Sequence, residues 1–136
     1  MRSKLTLAIG MAVLGVGALA LPAWSHHAHG NYVNATKDME GVVTEFHALN
    51  PHSWIYLEVT EAPGKSQVWA MEGSVAAPLL QLAKEGKGLK VGDKVKVRCH
   101  PLTDGSSGCL LGYIRHPDGT VRDYDEGAKE TRVEGF

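Results

Sequence analysis

No cysteine precedes Cys99, so the chain offers no site for lipid attachment behind a leader. No twin arginine opens it, which directs any export to the general secretory route. Its one long apolar run stops at Pro22 after about 16 to 18 residues, short of the roughly 20 that a spanning helix needs. Basic residues do not outnumber acidic ones, at 14 against 15, which argues against nucleic-acid binding, since holding phosphates needs a positive face. There is no phosphate-cradling glycine loop, no nucleophile elbow and no HExxH segment. These absences set aside lipoproteins, nucleic-acid binders and the best-marked nucleotide and hydrolase chemistries.

What is present begins with a three-part leader. Arg2 and Lys4 precede the charge-free run from Leu5 to Ala20, and small residues follow. Residues 1–25 are therefore expected to be a bacterial secretory signal peptide, and the protein periplasmic or secreted, with no stable membrane insertion after cleavage. Small residues at −3 and −1 allow cleavage after Ala20 or after Ser25, with Ala23 less suited. Cutting after Ser25 would leave 111 residues beginning at His26, enough for one compact domain and too few for two. Loss of Arg2 and Lys4, with no acid lost, takes the net charge from −1 to −3.

Residues 26–38 read as a polar, histidine-rich arm. A first strand is expected over Met39–Leu49, ended by Asn50-Pro51, because proline lacks the amide donor and restricts the residue before it. His52–Thr60, rich in aromatic and β-branched residues, predicts a second strand. Trp54, Tyr56 and Glu58 fall on one of its faces, and Ile55, Leu57 and Val59 on the other. After turn chemistry at Ala62-Pro63-Gly64-Lys65, a third strand is expected over Gln67–Glu72.

Ser74 has the chemistry of a helix N-cap for Val75–Lys84, with Gly86 or Gly88 ending the helix. Leu79, Leu80, Leu82 and Ala83 form its expected buried stripe. Lys94–His100 alternates cleanly, with Val95, Val97 and Cys99 facing one way. Cys109–Arg115 and Thr120–Arg122 complete the strands, and 125–136 reads as a flexible polar tail. Three strands, a helix and two strands is the element order of an OB-like five-stranded barrel, here the domain 39–124.

Cys99 and Cys109 predict a disulfide in an oxidising compartment, with a thiolate metal site as the alternative. The seven histidines are unevenly spread. His26, His27 and His29 crowd the new N-terminus, His47 and His52 bracket the first turn, and His100 and His116 flank the last hairpin. Histidine ligates copper and zinc as the neutral imidazole. An N-terminal His26 could chelate through its amine and ring together, with His27, His29 or His52 as a third nitrogen donor, an arrangement resembling the histidine brace of exported copper proteins. Cleavage after Ala23 would instead offer Trp24-Ser25-His26, resembling a square-planar copper or nickel site. The bland alternative is an arm that meets metal only incidentally.

His52 lies in the densest stretch, Asn50-Pro51-His52-Ser53-Trp54, where it could face the arm and share its ion. Structurally, Asn-Pro would make the turn, Ser53 would satisfy a backbone group and Trp54 would fill core. Glu72 has no identifiable partner for acid–base catalysis and would simply favour the helix N-terminus.

The double histidine behind the leader, Asn50-Pro51-His52-Ser53-Trp54, Trp69 with Glu72-Gly73-Ser74, Val91-Gly92-Asp93-Lys94-Val95, and His100-Pro101-Leu102 with Asp104-Gly105 resemble the small exported bacterial proteins of the domain of unknown function 6152 family. The resemblance implies export and a fold but no activity. Cys99, Cys109 and His29 are not part of that pattern. The leading expectation is binding, delivery or sequestration of a transition metal, copper before zinc, through His26, His27, His29 and His52, without an organic cofactor. The other is a metal-free module holding a peptide, glycan or partner protein on the Trp54 and Tyr56 face. A brace copper that activates oxygen is a third and weaker one.

Overall fold

Along β2 (Ser53–Ala62), Ser53, Ile55, Leu57 and Val59 are buried while Trp54, Tyr56 and Glu58 face outward, the two-residue period of a strand with one wet face. The computed structural model describes residues 29–136; the expectations for the leader and for His26 and His27 lie outside the described residues. The other strands are β1 (Lys37–His47), β3 (Lys65–Gly73), β4 (Lys94–Pro101), β5 (Gly108–Arg115), β6 (Val121–Asp123) and β7 (Lys129–Glu130), with one helix, α1 (Ala76–Lys84), between β3 and β4.

Strands β1 to β5 close on themselves as an OB-like barrel. β1 is antiparallel to β2 through its second half and to β4 through its first, β2 pairs β3, and β4 pairs β5. The parallel match of Ala70, Met71 and Glu72 with Gly108, Cys109 and Leu110 then seals β3 to β5. Gly41 lies where β1 passes from its pairing with β4 to its pairing with β2, and a Cβ there would stand 2.8 Å from the Glu58 carbonyl oxygen. The register shifts between Val43 and Glu45, and the Thr44 hydroxyl donates to the Tyr56 carbonyl at 3.2 Å.

Inward residues of all five strands, among them Val43, Ile55, Leu57, Met71, Val97, Leu111 and Ile114, form one core. Each such aliphatic side chain, fully buried, stabilises the fold by roughly 1.5–3 kcal/mol. Cys99 and Cys109 are both buried and joined as the expected disulfide across the β4–β5 hairpin.

The helix corrects two expectations. Its N-cap is Val75, without a side-chain cap, rather than Ser74. The Ala76 N–H donates instead to Oδ1 of Asn50, a residue far away in sequence, at 3.1 Å. The Ser74 backbone meanwhile joins strands, its N–H donating to the Tyr124 carbonyl and its own carbonyl accepting from Ser53. The buried stripe is Ala76, Leu79 and the half-buried Leu82, while Leu80 is 48% exposed. At 100° per residue, Leu80 turns away from a face defined by residues three apart. Gly86, at φ +71°, ends the helix as a left-handed residue.

Residues 125–136, whose charge suggested a flexible tail, pack against the barrel. β7 pairs with β6, Ala128 is buried, and its carbonyl accepts from the Arg122 guanidinium. Phe136 is buried against Tyr113, with Lys96, Arg98 and Arg115 over its ring at 5.0–5.5 Å. Cation–π attraction and stem packing make those bases a seat for an aromatic ring.

Candidate functional site

Hydrogen bonds within the Asn50–Ser53 turn fix the position of His52. Asn50 holds the start of α1, the Ser53 hydroxyl accepts from the Leu49 N–H at 3.2 Å, and the Ser53 N–H donates to the Ser74 carbonyl at 2.9 Å. The turn is thereby tied to the β3–α1 junction, which is where Glu72 lies. Nδ1 of His52 donates to Oε1 of Glu72, and the hydroxyl of Tyr32 donates to Oε2. One carboxylate is thus gripped from both sides, by the barrel rim and by the arm. Its side chain is 16% exposed and that of His52 is 37% exposed.

An ionised carboxylate can only accept. A neutral His52 in this pair therefore carries its hydrogen on Nδ1. Burial, and then the bond to Glu72, push the Tyr32 phenol well above its ordinary range, so it stays a donor.

Tyr32 reaches Glu72 because the arm is fastened to the β4–β5 hairpin. The Val33 N–H donates to the Pro101 carbonyl, the Thr103 N–H donates to the Asn31 carbonyl, and Tyr32 bridges Leu102. Nδ1 of His100 donates to the Val33 carbonyl at 3.0 Å. The first described turn, His29–Asn31, leads directly into these contacts. A cleft of about 440 Å³ opens under this crossing, with Tyr32, His100, Leu110, Tyr113, Asp123 and Glu126 among its walls.

On the outer face, strand register lines up His47, Trp54, Glu72, Leu110 and His100 in one row across five strands. Trp54, between His47 and Glu72 in that row, is half-buried rather than part of the core. Tyr56 is also half-buried and meets His47 edge-on at 5.8 Å. Of the described tryptophans, Trp69 is the one that enters the core.

Among the described residues, the histidines do not converge. His47 pairs with exposed Glu45 at 2.9 Å, and His116 is buried against Tyr124 on another part of the barrel. Among the described residues, no three His, Cys, Asp or Glu side chains are grouped so as to hold a metal ion. His52 is brought to Glu72 and Tyr32, and His29 stands three residues before Tyr32.

The sequence reading missed Tyr32, since a single tyrosine in a polar arm carries no signal of its contact. It read Glu72 only as a charge near a helix start. The two-residue period could have placed Glu72 outward, beside Trp54, but not against His52.

A family model matches residues 13–111 of the chain. The chain belongs to the family of unknown function DUF6152. The matched span takes in His52, Glu72, Tyr32 and both cysteines and stops within β5, before β6, β7 and Phe136. Membership of DUF6152 brings no activity with it. No curated protein and no solved structure matches the chain.

Proposed function

We propose that this DUF6152 member is an exported periplasmic or secreted protein that binds a transition metal, copper in preference to zinc. Its ligands are nitrogens of His26, His27 or His29 on the arm and Nε2 of His52 on the barrel rim. The observation that carries the reading is that arm and rim meet on one carboxylate, with Tyr32 on one oxygen of Glu72 and His52 on the other. A histidine whose Nδ1 donates to a carboxylate has the arrangement that metal-bound histidines commonly show. The arm histidines are joined to Tyr32 by six residues of chain or fewer, at most roughly 20 Å of extended backbone.

Rim and arm would complete the donor set together. Three or four imidazole and amine nitrogens suit copper(II) best among the common divalent ions. The work proposed is binding, delivery or sequestration of that ion.

The test is a native intact mass of the protein exported by its own leader, followed by copper affinity of His52→Ala. One retained copper on a chain starting at His26, and an affinity at least about tenfold weaker in the variant, support the reading. A metal-free chain after copper is offered and weak binders are removed, or an unchanged affinity in His52→Ala, overturns it.

The second reading is a metal-free module whose outer face holds a peptide, glycan or partner protein. The half-buried Trp54 and Tyr56, side by side on that face, favour it. A partner lost in Trp54→Ala, with no stabilisation by copper, would make it the better account.

A further inference from the structure

β5 changes neighbours along its length, pairing with β3 through Gly108–Leu110 and with β6 through Tyr113–Arg115. The cleft of about 440 Å³ opens at this handover, with Leu110, Gly112 and Tyr113 among its walls. Gly112 helps to keep it open, since an added Cβ would meet only the Arg98 carbonyl oxygen within 4 Å. On the arm side stand Tyr32 and His100, whose hydrogens are already given to Glu72 and to the Val33 carbonyl. Tyr113 adds a second ring and a hydroxyl that bonds to no described residue.

The β6 side is of another chemistry. Oδ1 of Asp123 accepts from the N–H groups of Asp125 and Glu126 at 3.0 and 3.1 Å, and all three residues line the cleft. Asp125 and Glu126 are exposed and enter no ion pair among the described residues. No lysine or arginine lines the cleft to balance them. The Arg122 guanidinium, next to Asp123 in sequence, is directed to the Ala128 carbonyl and to Glu130.

We propose that this cleft binds a small organic cation, an ammonium group carried on a short apolar stem. Three carboxylates repel an anion, and they do not converge closely enough to hold a bare metal ion. Negative charge spread along one wall, facing tyrosine rings and the Leu110 side chain, suits a cation with an apolar body. The volume is within the range of small-molecule sites. The site uses no residue of the metal reading above and stands or falls without it.

The experiment titrates 1,5-diaminopentane into the full exported chain and follows backbone amide shifts by nuclear magnetic resonance. 1,5-Pentanediol is the uncharged counterpart, and Nα-acetyl-lysine amide presents the same ammonium as a protein side chain does. Saturable shifts are expected at Gly112, Tyr113, Asp125 and Glu126 with the diamine, and none with the diol. Asp125→Asn/Glu126→Gln should weaken the diamine by about 5- to 10-fold, the loss of two exposed charge contacts. Added salt should weaken it as well. Glu45→Gln, which removes an exposed carboxylate beside His47, should bind as wild type does. Tighter binding of the diamine than of the lysine amide assigns a free ligand, and the reverse assigns a lysine of a partner protein.

No saturable shift at those amides, or equal binding of the diol, overturns the site. So does a loss in Glu45→Gln as large as in the double variant, which would reduce the effect to general charge attraction. An unchanged affinity in the double variant overturns it too. The Asp125 and Glu126 side chains make no hydrogen bond to the fold, so their replacement should leave it intact; Glu126→Gln alone stands in if the pair does not fold.

Discussion

Oδ1 of Asn50 accepts a hydrogen bond from the backbone N–H of Ala76 at 3.1 Å. The turn between the first two strands therefore caps helix α1, whose own N-cap residue, Val75, offers no side-chain acceptor. Removing a capping acceptor costs about 1 kcal/mol. Asn50→Ala is expected to lose that much, seen as a lower urea midpoint at unchanged slope. Asn50→Asp should keep the bond and set a negative charge at the positive end of the helix, leaving stability equal or slightly higher. Equal stability of Asn50→Ala and wild type would show that the cap contributes nothing.

Gly41 lies where β1 passes from β4 to β2, and it has little space there. An added Cβ would lie 2.8 Å from the Glu58 carbonyl oxygen and 3.3 Å from the Leu57 Cβ. The nearest neighbour is backbone, which cannot swing aside. Gly41→Ala is expected to destabilise by about 1–3 kcal/mol through forced strand displacement. Gly30→Ala, with nothing within 4 Å, should cost far less. Thermal unfolding of the two variants side by side makes the comparison.

The Cys99–Cys109 disulfide closes a loop with a sequence separation of 10, and both cysteines are buried. Constraint of the unfolded chain by so short a loop stabilises by roughly 2–3 kcal/mol. The Cys99→Ala/Cys109→Ala variant should fall by that amount in chemical denaturation under oxidising conditions. Because Pro101, Leu102 and Thr103 inside this loop hold the arm, hydrogen exchange of Val33 and Thr103 should speed up as well. An arm protected as in wild type would separate its docking from the disulfide.

His116 is buried, with Nε2 3.1 Å from the Tyr124 hydroxyl. Burial, and then the Arg122 guanidinium, hold its pKa below the ordinary histidine value, while Asp118 and Asp93 oppose the shift. A histidine depressed in the fold binds its proton more readily when unfolded. Its neutral form contributes stability that is fully present above the ordinary value near 6.5, and is lost as pH falls from there toward the folded value. The melting temperature is expected to drop between about pH 7 and pH 5, and the drop should be smaller in His116→Gln. Asp38, lowered chiefly by its bond to Arg98, loses its contribution only in more acidic solution, so the two do not overlap. An identical pH slope in His116→Gln would remove His116 from the account.

Barrel order and strand faces were legible because each depends on neighbours in sequence. Val95, Val97 and Cys99 alternate with Lys94, Lys96 and Arg98, and that period alone puts the first three inside. The count of two cysteines likewise pointed to the Cys99–Cys109 disulfide. The helix cap was misread for the opposite reason, since Ser74 has the right side chain but its backbone is taken by Tyr124 and Ser53. Phe136 looked like the end of a charged tail, because the Lys96, Arg98 and Arg115 that receive it lie on two distant strands.

What the amino-acid sequence determined by itself was therefore the set of local periods and breaks: which residues alternate, where proline and glycine stop an element, and which histidines lie close along the chain. Only the tertiary structure decided that Tyr32, His52 and Glu72 share one point, across separations of 40 and 20 residues. Periodicity carries no information at such separations. The meeting depends on barrel closure through the β3–β5 pair and on the hairpin that seats the arm, both of which come from packing the whole chain at once.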